Sequence, residues 1–224
     1  MTTNTQIDQL IQKTRRYEFA DGLRDVQFAL LIGLSSVGAW LALQPFWMTI
    51  IMKASIKYGR WAAVLGMAPI VVTILVVWGM LGVMKIIRQR WLWRESGTVK
   101  PSRWVVPRGV NLISTVIFLV AIGAAAGMWL LGWVQDTFIL KMIWVATGWS
   151  FGYTLAAVGM QIGLTRYLYV GLAGGLLSII ALLLPLDFGQ TALLIGAIWF
   201  CILLSSGLVT LFTLISEKKE EQNE

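Results

Sequence analysis

The chain has 224 residues, 58% of them hydrophobic and 13% charged, with a net charge of +7 and twelve tryptophans. Soluble domains carry about 25% charged residues, so this composition points to a bilayer. With one cysteine and no histidine, an intrachain disulfide, a thiolate metal cluster and imidazole chemistry or haem ligation are excluded, and no cofactor is expected.

The first twenty residues are polar and charged, unlike a cleavable signal peptide, which needs an early apolar core. Within them Ile7, Leu10, Ile11 and Tyr17 recur at helical spacing. The segment 1–20 therefore reads as an amphipathic helix lying on the cytoplasmic interface.

The stretch "RRYEFADGLRDVQFALLIGL" (15–34) then turns from charged to apolar after Gln27. Glu18, Asp21, Arg24 and Asp25 gather at the lip of the first span. Asp21 is placed to cap that helix, where a carboxylate is favoured. Asp25 and Glu18 are expected to pair with Arg15, Arg16, Arg24 or the basic loop further on. The four form a structural clamp rather than a catalytic site. "DGLRD" resembles the acidic metal motif of the CDP-alcohol phosphatidyltransferases only in part. The Arg stands one residue too near, and no acid follows on the next turns of the helix. A lipid-modifying enzyme is disfavoured accordingly.

Uncharged stretches run 26–52, 61–84, 109–135, 142–165, 167–186 and 188–216. A span needs roughly 20 apolar residues, and lipid admits only helices or closed barrels. The runs lack period-2 alternation, so the fold class is all-α: a polytopic bundle of six transmembrane helices over 21–216, followed by a charged, frayed tail at 217–224. Pro45 ends the first span, and "FWMTIIMKASIKYGR" (46–60) is expected to lie along the outer interface. Fourteen of the 18 Lys and Arg fall on one side of this arrangement, leaving Lys53, Lys57, Arg60 and Lys141 on the other. The positive-inside rule then places both termini in the cytoplasm.

Residues 85–108 form the one sizeable loop. Trp91, Trp93 and Trp104 alternate there with Arg94, Lys100 and Arg103. Aromatic rings at headgroup depth beside cations suit a membrane with anionic headgroups or a protein partner. A nucleic-acid platform beside a bilayer is not expected.

The fourth span carries a small-residue stripe. Gly148, Gly152, Ala156, Gly159 and Gly163 are spaced 4, 4, 3 and 4 apart, which keeps them on one face. Such a seam lets helix backbones approach closely. Gly123 and Gly127, and Gly171 and Gly175, are further GxxxG pairs on the neighbouring spans. Ser150, Thr154 and Gln161 fall on the opposite face of the fourth span and could line a polar crevice. No ionisable residue lies deep in any span, against a pump working through its own charges. "RRY" before the first span and "TRY" before the fifth form a weak internal similarity.

Two stretches together resemble a family of small bacterial multi-pass membrane proteins without an assigned activity. Tyr17, Glu18, Asp21, Gly22, Leu23, Arg24 and Asp25 match its N-terminal pattern. "RESGTVKPSR" (94–103) resembles its basic loop at Gly97, Val99 and Lys100, departing at Glu95, Ser96 and Thr98. The resemblance implies a bacterial inner-membrane protein. The expected function is that of a non-enzymatic membrane component, a subunit or homo-oligomer packing with membrane partners. The alternative is the permease half of an ABC-2-type exporter, docking a cytoplasmic ATPase through 85–108.

Overall fold

The computed structural model describes residues 22–59, 62–87 and 106–221. These are helical throughout, in the order α1 (Leu23–Ala42), α2 (Pro45–Tyr58), α3 (Ala62–Ile87), α4 (Arg108–Leu130), α5 (Asp136–Ile162), α6 (Thr165–Ser178), α7 (Ile180–Leu183) and α8 (Phe188–Glu221). Local chemistry sets the boundaries. Pro45 opens α2 at its first turn, where a missing N–H costs nothing. Gly132 and Gly163 adopt left-handed φ of 73° and 71°. They let Trp133 donate back to Met128 and Leu164 back to Gly159, which closes α4 and α5. Pro69 sits inside α3, and the Thr73 hydroxyl donates to its carbonyl at 2.7 Å.

The helices form a layer in the order α3, α1, α8, α6, α5, α4. Neighbours α1 and α8 run antiparallel: Gly22 meets Gly207, Gly33 meets Phe200, and Gly189 meets Trp40 and Leu43. Helices α5 and α6 form a tight antiparallel pair about the Gly163 turn. The core lies around Trp199 of α8, which is 2% exposed and packs edge-on against Phe151 of α5 at 4.8 Å. One end of the layer gathers Gly22, Pro107, the Gly163 turn and Gly207; it is called here the basic end, after the cation-rich segments that adjoin it in sequence.

Five of these helical stretches are long and apolar enough to cross a membrane: Leu23–Ala42, Met67–Ile87, Arg108–Leu130, Thr165–Leu183 and Phe188–Thr213. The sequence expectation of six differs at α5. That helix has 27 residues, so its length suffices, but Trp, Tyr, Ser, Thr and Gly dilute its apolarity. The reason is its position. Twelve of its residues are buried, against α4, α6 and α8, so its surroundings are protein more than lipid. The tail also differs from expectation, because α8 continues as helix to Glu221. At about 1.5 Å per residue its 34 residues span roughly 51 Å, well past a hydrocarbon core of about 30 Å. The 46–60 segment does leave α1 at Pro45, and its helix α2 has no buried residue.

Candidate functional site

A buried cluster of charged and hydroxyl side chains sits at the basic end, where α1, α6 and α8 meet. Its assembly begins with two glycines. Gly22 adopts φ +70° at the N-cap of α1, a conformation that suits glycine. A Cβ there would strike the Gly207 carbonyl oxygen, and a Cβ on Gly207 would lie 2.7 Å from the Gly22 carbonyl oxygen. The two backbones therefore touch, and the first turn of α1 is pressed onto α8.

That contact carries Asp25 into the interior, where it is 0% exposed. Its carboxylate accepts hydrogen bonds from the Tyr167 hydroxyl and, at 3.2 Å, from the Ser206 hydroxyl. Arg166 Nη2 pairs with it at 3.3 Å. The same guanidinium donates through Nη1 to Thr210 and through Nη2 to the Tyr167 oxygen, and lies over the Tyr167 ring at 5.0 Å. Arg166 keeps 23% of its side chain exposed.

The electrostatics explain why these groups belong together. A carboxylate in the first turn of a helix is favoured by the macrodipole, whereas a cation in the first turn is not. Asp25 is in the first turn of α1 and Arg166 in that of α6, so the acid offsets the field around the base. A buried charge is tolerated when paired and hydrogen-bonded. Among the described residues the carboxylate has a cation and two hydroxyl donors. Enclosed in this way, it links α1, α6 and α8.

The sequence expectations are corrected in part. Among the described residues a cation meeting Asp25 is Arg166 of the "TRY" turn, which the sequence reading did not pair with it; Arg15, Arg16 and the cations of 88–105 lie outside the described residues. The N-cap of α1 is Gly22, in place of Asp21, with no side-chain cap. Arg24 lies beside the cluster, half-buried. Glu18, Asp21, Trp91, Trp93, Arg94, Lys100, Arg103 and Trp104 lie outside the described residues. Arg166, Tyr167, Ser206 and Thr210 were not singled out as site residues. The one signal for two of them was the repeated "RY" string.

The glycine stripe of α5 faces α6. A Cβ on Gly152 would lie 2.6 Å from the Gly171 carbonyl oxygen, and one on Gly171 would lie 3.2 Å from the Ala156 Cβ. Gly159 abuts Tyr167, and Gly148 faces Ser178 and Trp199. Gly163 departs from the seam, since a Cβ there would meet nothing within 4 Å and its role is the left-handed turn. Gly123 and Gly127 of α4 likewise meet nothing within 4 Å. The polar face is a clasp rather than a crevice at two of its three positions. Ser150 and Ser114 exchange hydrogen bonds, with hydroxyls 2.5 Å apart, and Thr154 donates to Ser114 at 3.1 Å. Hydroxyls without water seek such partners. Gln161 stands apart, lining a cleft between α4 and α5.

At the opposite end Lys141 is 8% exposed and donates to the Leu184 carbonyl at 2.6 Å. It ties α5 to the end of α7, sharing the Leu184 carbonyl with the Leu186 N–H.

Comparison with family models, curated proteins and solved structures finds no match.

Proposed function

We propose that the chain is a non-enzymatic integral membrane component that packs with another membrane chain or with copies of itself through the edge helices α3 and α4. The observation carrying this reading is that both edges of the layer present small residues with nothing against them. A Cβ on Gly79 or Gly82 of α3, or on Gly123 or Gly127 of α4, would meet no atom within 4 Å. Small residues at helical spacing are the usual seam between membrane helices. Inside the layer, the equivalent glycines of α5 and α6 are packed against each other.

The reading includes α5 as a sixth span between α4 and α6, since short turns join it to both. It places both termini and the basic end in the cytoplasm, on the strength of the Lys and Arg distribution. The resemblance of 15–34 and 94–103 to bacterial multi-pass proteins supports an inner-membrane location. Anionic headgroups suit the basic end. The test is disulfide or bifunctional cross-linking in membranes. Cys201 is exposed, so it is first replaced by alanine, after which Gly79→Cys and Gly123→Cys are introduced separately. The reading expects cross-linked species containing a second protein chain. If both variants remain uncross-linked to any protein in native membranes, the edges face lipid alone and the reading fails.

A further inference from the structure

We infer that Lys141 and Trp144, at the end opposite the Asp25 cluster, hold a small monovalent anion of the halide class. Lys141 is 8% exposed, and its hydrogen-bond acceptor among the described residues is the Leu184 carbonyl at 2.6 Å. That oxygen also accepts from the Leu186 N–H. An ammonium carries three N–H donors, so further donors are left over. Among the described residues no carboxylate lies within 4.0 Å of it. The two described acids of this end are engaged elsewhere: Asp136 accepts from Trp129 Nε1 at 2.6 Å, and Asp187 accepts from the Gln190 N–H at 2.6 Å. The buried charge is therefore unmatched, and burying a charge is costly unless it is paired.

A second donor stands beside it. Trp144 lies three residues on, so both side chains share one face of α5. The Trp144 indole Nε1 is buried and has no hydrogen-bond partner among the described residues, an arrangement that calls for an explanation. Both side chains reach the same short connection into α8: Lys141 meets the Leu184 carbonyl, and the Trp144 ring packs on the Phe188 ring at 5.4 Å. A cation and a neutral N–H donor directed to one connection, with no acid of the chain opposite them, match an anion. One negative charge balances one ammonium. Enclosure sets the size, since a side chain this buried, with buried Met142 and Val145 as neighbours, is closed to a phospholipid headgroup or a bulky organic acid.

The site is independent of the edge packing proposed above. Its test is thermal unfolding of the detergent-purified chain, titrated with sodium bromide against sodium gluconate at equal ionic strength. Bromide should raise Tm saturably, by about 3–6 °C at a tenfold excess over its Kd for a chain of this size. Gluconate, too bulky to enter, should not. Lys141→Met keeps the apolar stem, removes the charge and should abolish the bromide-specific shift. Trp144→Phe keeps a ring against Phe188 and removes the N–H. It should raise the bromide concentration at half-effect by about tenfold or more, as expected for a lost hydrogen bond to a charged group. If Lys141→Met fails to fold, Trp144→Phe decides alone. Equal effects of bromide and gluconate on the unmodified chain would overturn the inference, as would a full bromide shift in folded Lys141→Met or an unchanged midpoint in Trp144→Phe.

Discussion

Asp25 in the first turn of α1 and Arg166 in the first turn of α6 meet at 3.3 Å, the acid fully buried and the base 23% exposed. The pair joins helices that have no extensive contact of their own, and α8 supplies the hydroxyls around it. Removing one member of a buried pair is costly because the other is left uncompensated. The behaviour of this cluster therefore decides how the chain is held together.

Tyr167→Phe removes one hydroxyl donor from the Asp25 carboxylate and leaves the ring in place. A hydrogen bond to a charged group contributes about 1.5–3 kcal/mol. The variant should melt at lower temperature in detergent by a corresponding amount. An unchanged melting temperature would mean that the carboxylate is satisfied without the Tyr167 hydroxyl.

Gly22→Ala should be among the most damaging small substitutions in the chain. Its left-handed backbone disfavours an L side chain by about 1–2 kcal/mol. The added Cβ also strikes the Gly207 carbonyl oxygen, a backbone atom that cannot swing away. Severe loss of expression or stability is expected, and Gly22→Asn should be tolerated no better. A well-folded Gly22→Ala protein would contradict the close approach of α1 and α8.

Gly152→Leu and Gly123→Leu make a matched pair. A Cβ on Gly152 lies 2.6 Å from the Gly171 carbonyl oxygen, while one on Gly123 meets nothing. Overpacking costs typically about 1–3 kcal/mol, and a backbone neighbour puts Gly152→Leu at the top of that range. Gly123→Leu should leave the melting temperature of the purified chain unchanged and weaken cross-linking to a partner. Equal stabilities for the two variants would remove the distinction between inner seam and outer edge.

Ser114→Ala opens the clasp between α4 and α5. Side-chain hydrogen bonds between membrane helices average about 0.6 kcal/mol, so the loss of stability should be small. A large loss of a measurable activity without loss of stability would restore Ser150 and Thr154 as a functional crevice.

Much of the fold was legible because long apolar runs and glycine spacing are local properties. The α5 stripe followed directly from periodicity, and Gly152, Ala156 and Gly159 do face α6. Periodicity could not separate a packing glycine from a turn glycine, so Gly163 was grouped with the seam. Nor could it separate an inner GxxxG from an outer one, which differ only in what lies opposite. The acidic cluster was legible by charge, but its partner was not. Arg166 sits in a three-residue turn far along the chain, and only the antiparallel stacking of α1 on α8, with α6 beside them, brings it to Asp25. The burial of Asp25 depends on Gly207, a residue with no local signature.

The most direct test of the central claim is a double-mutant cycle on the buried pair, with Asp25→Asn, Arg166→Gln and the combination compared by unfolding in detergent. Contacting residues in one network show coupling of about 0.5–3 kcal/mol. A structural lock predicts that each single variant is strongly destabilised and that the double variant recovers part of the loss. Strictly additive losses would contradict the lock, as would single variants that melt like the unmodified chain.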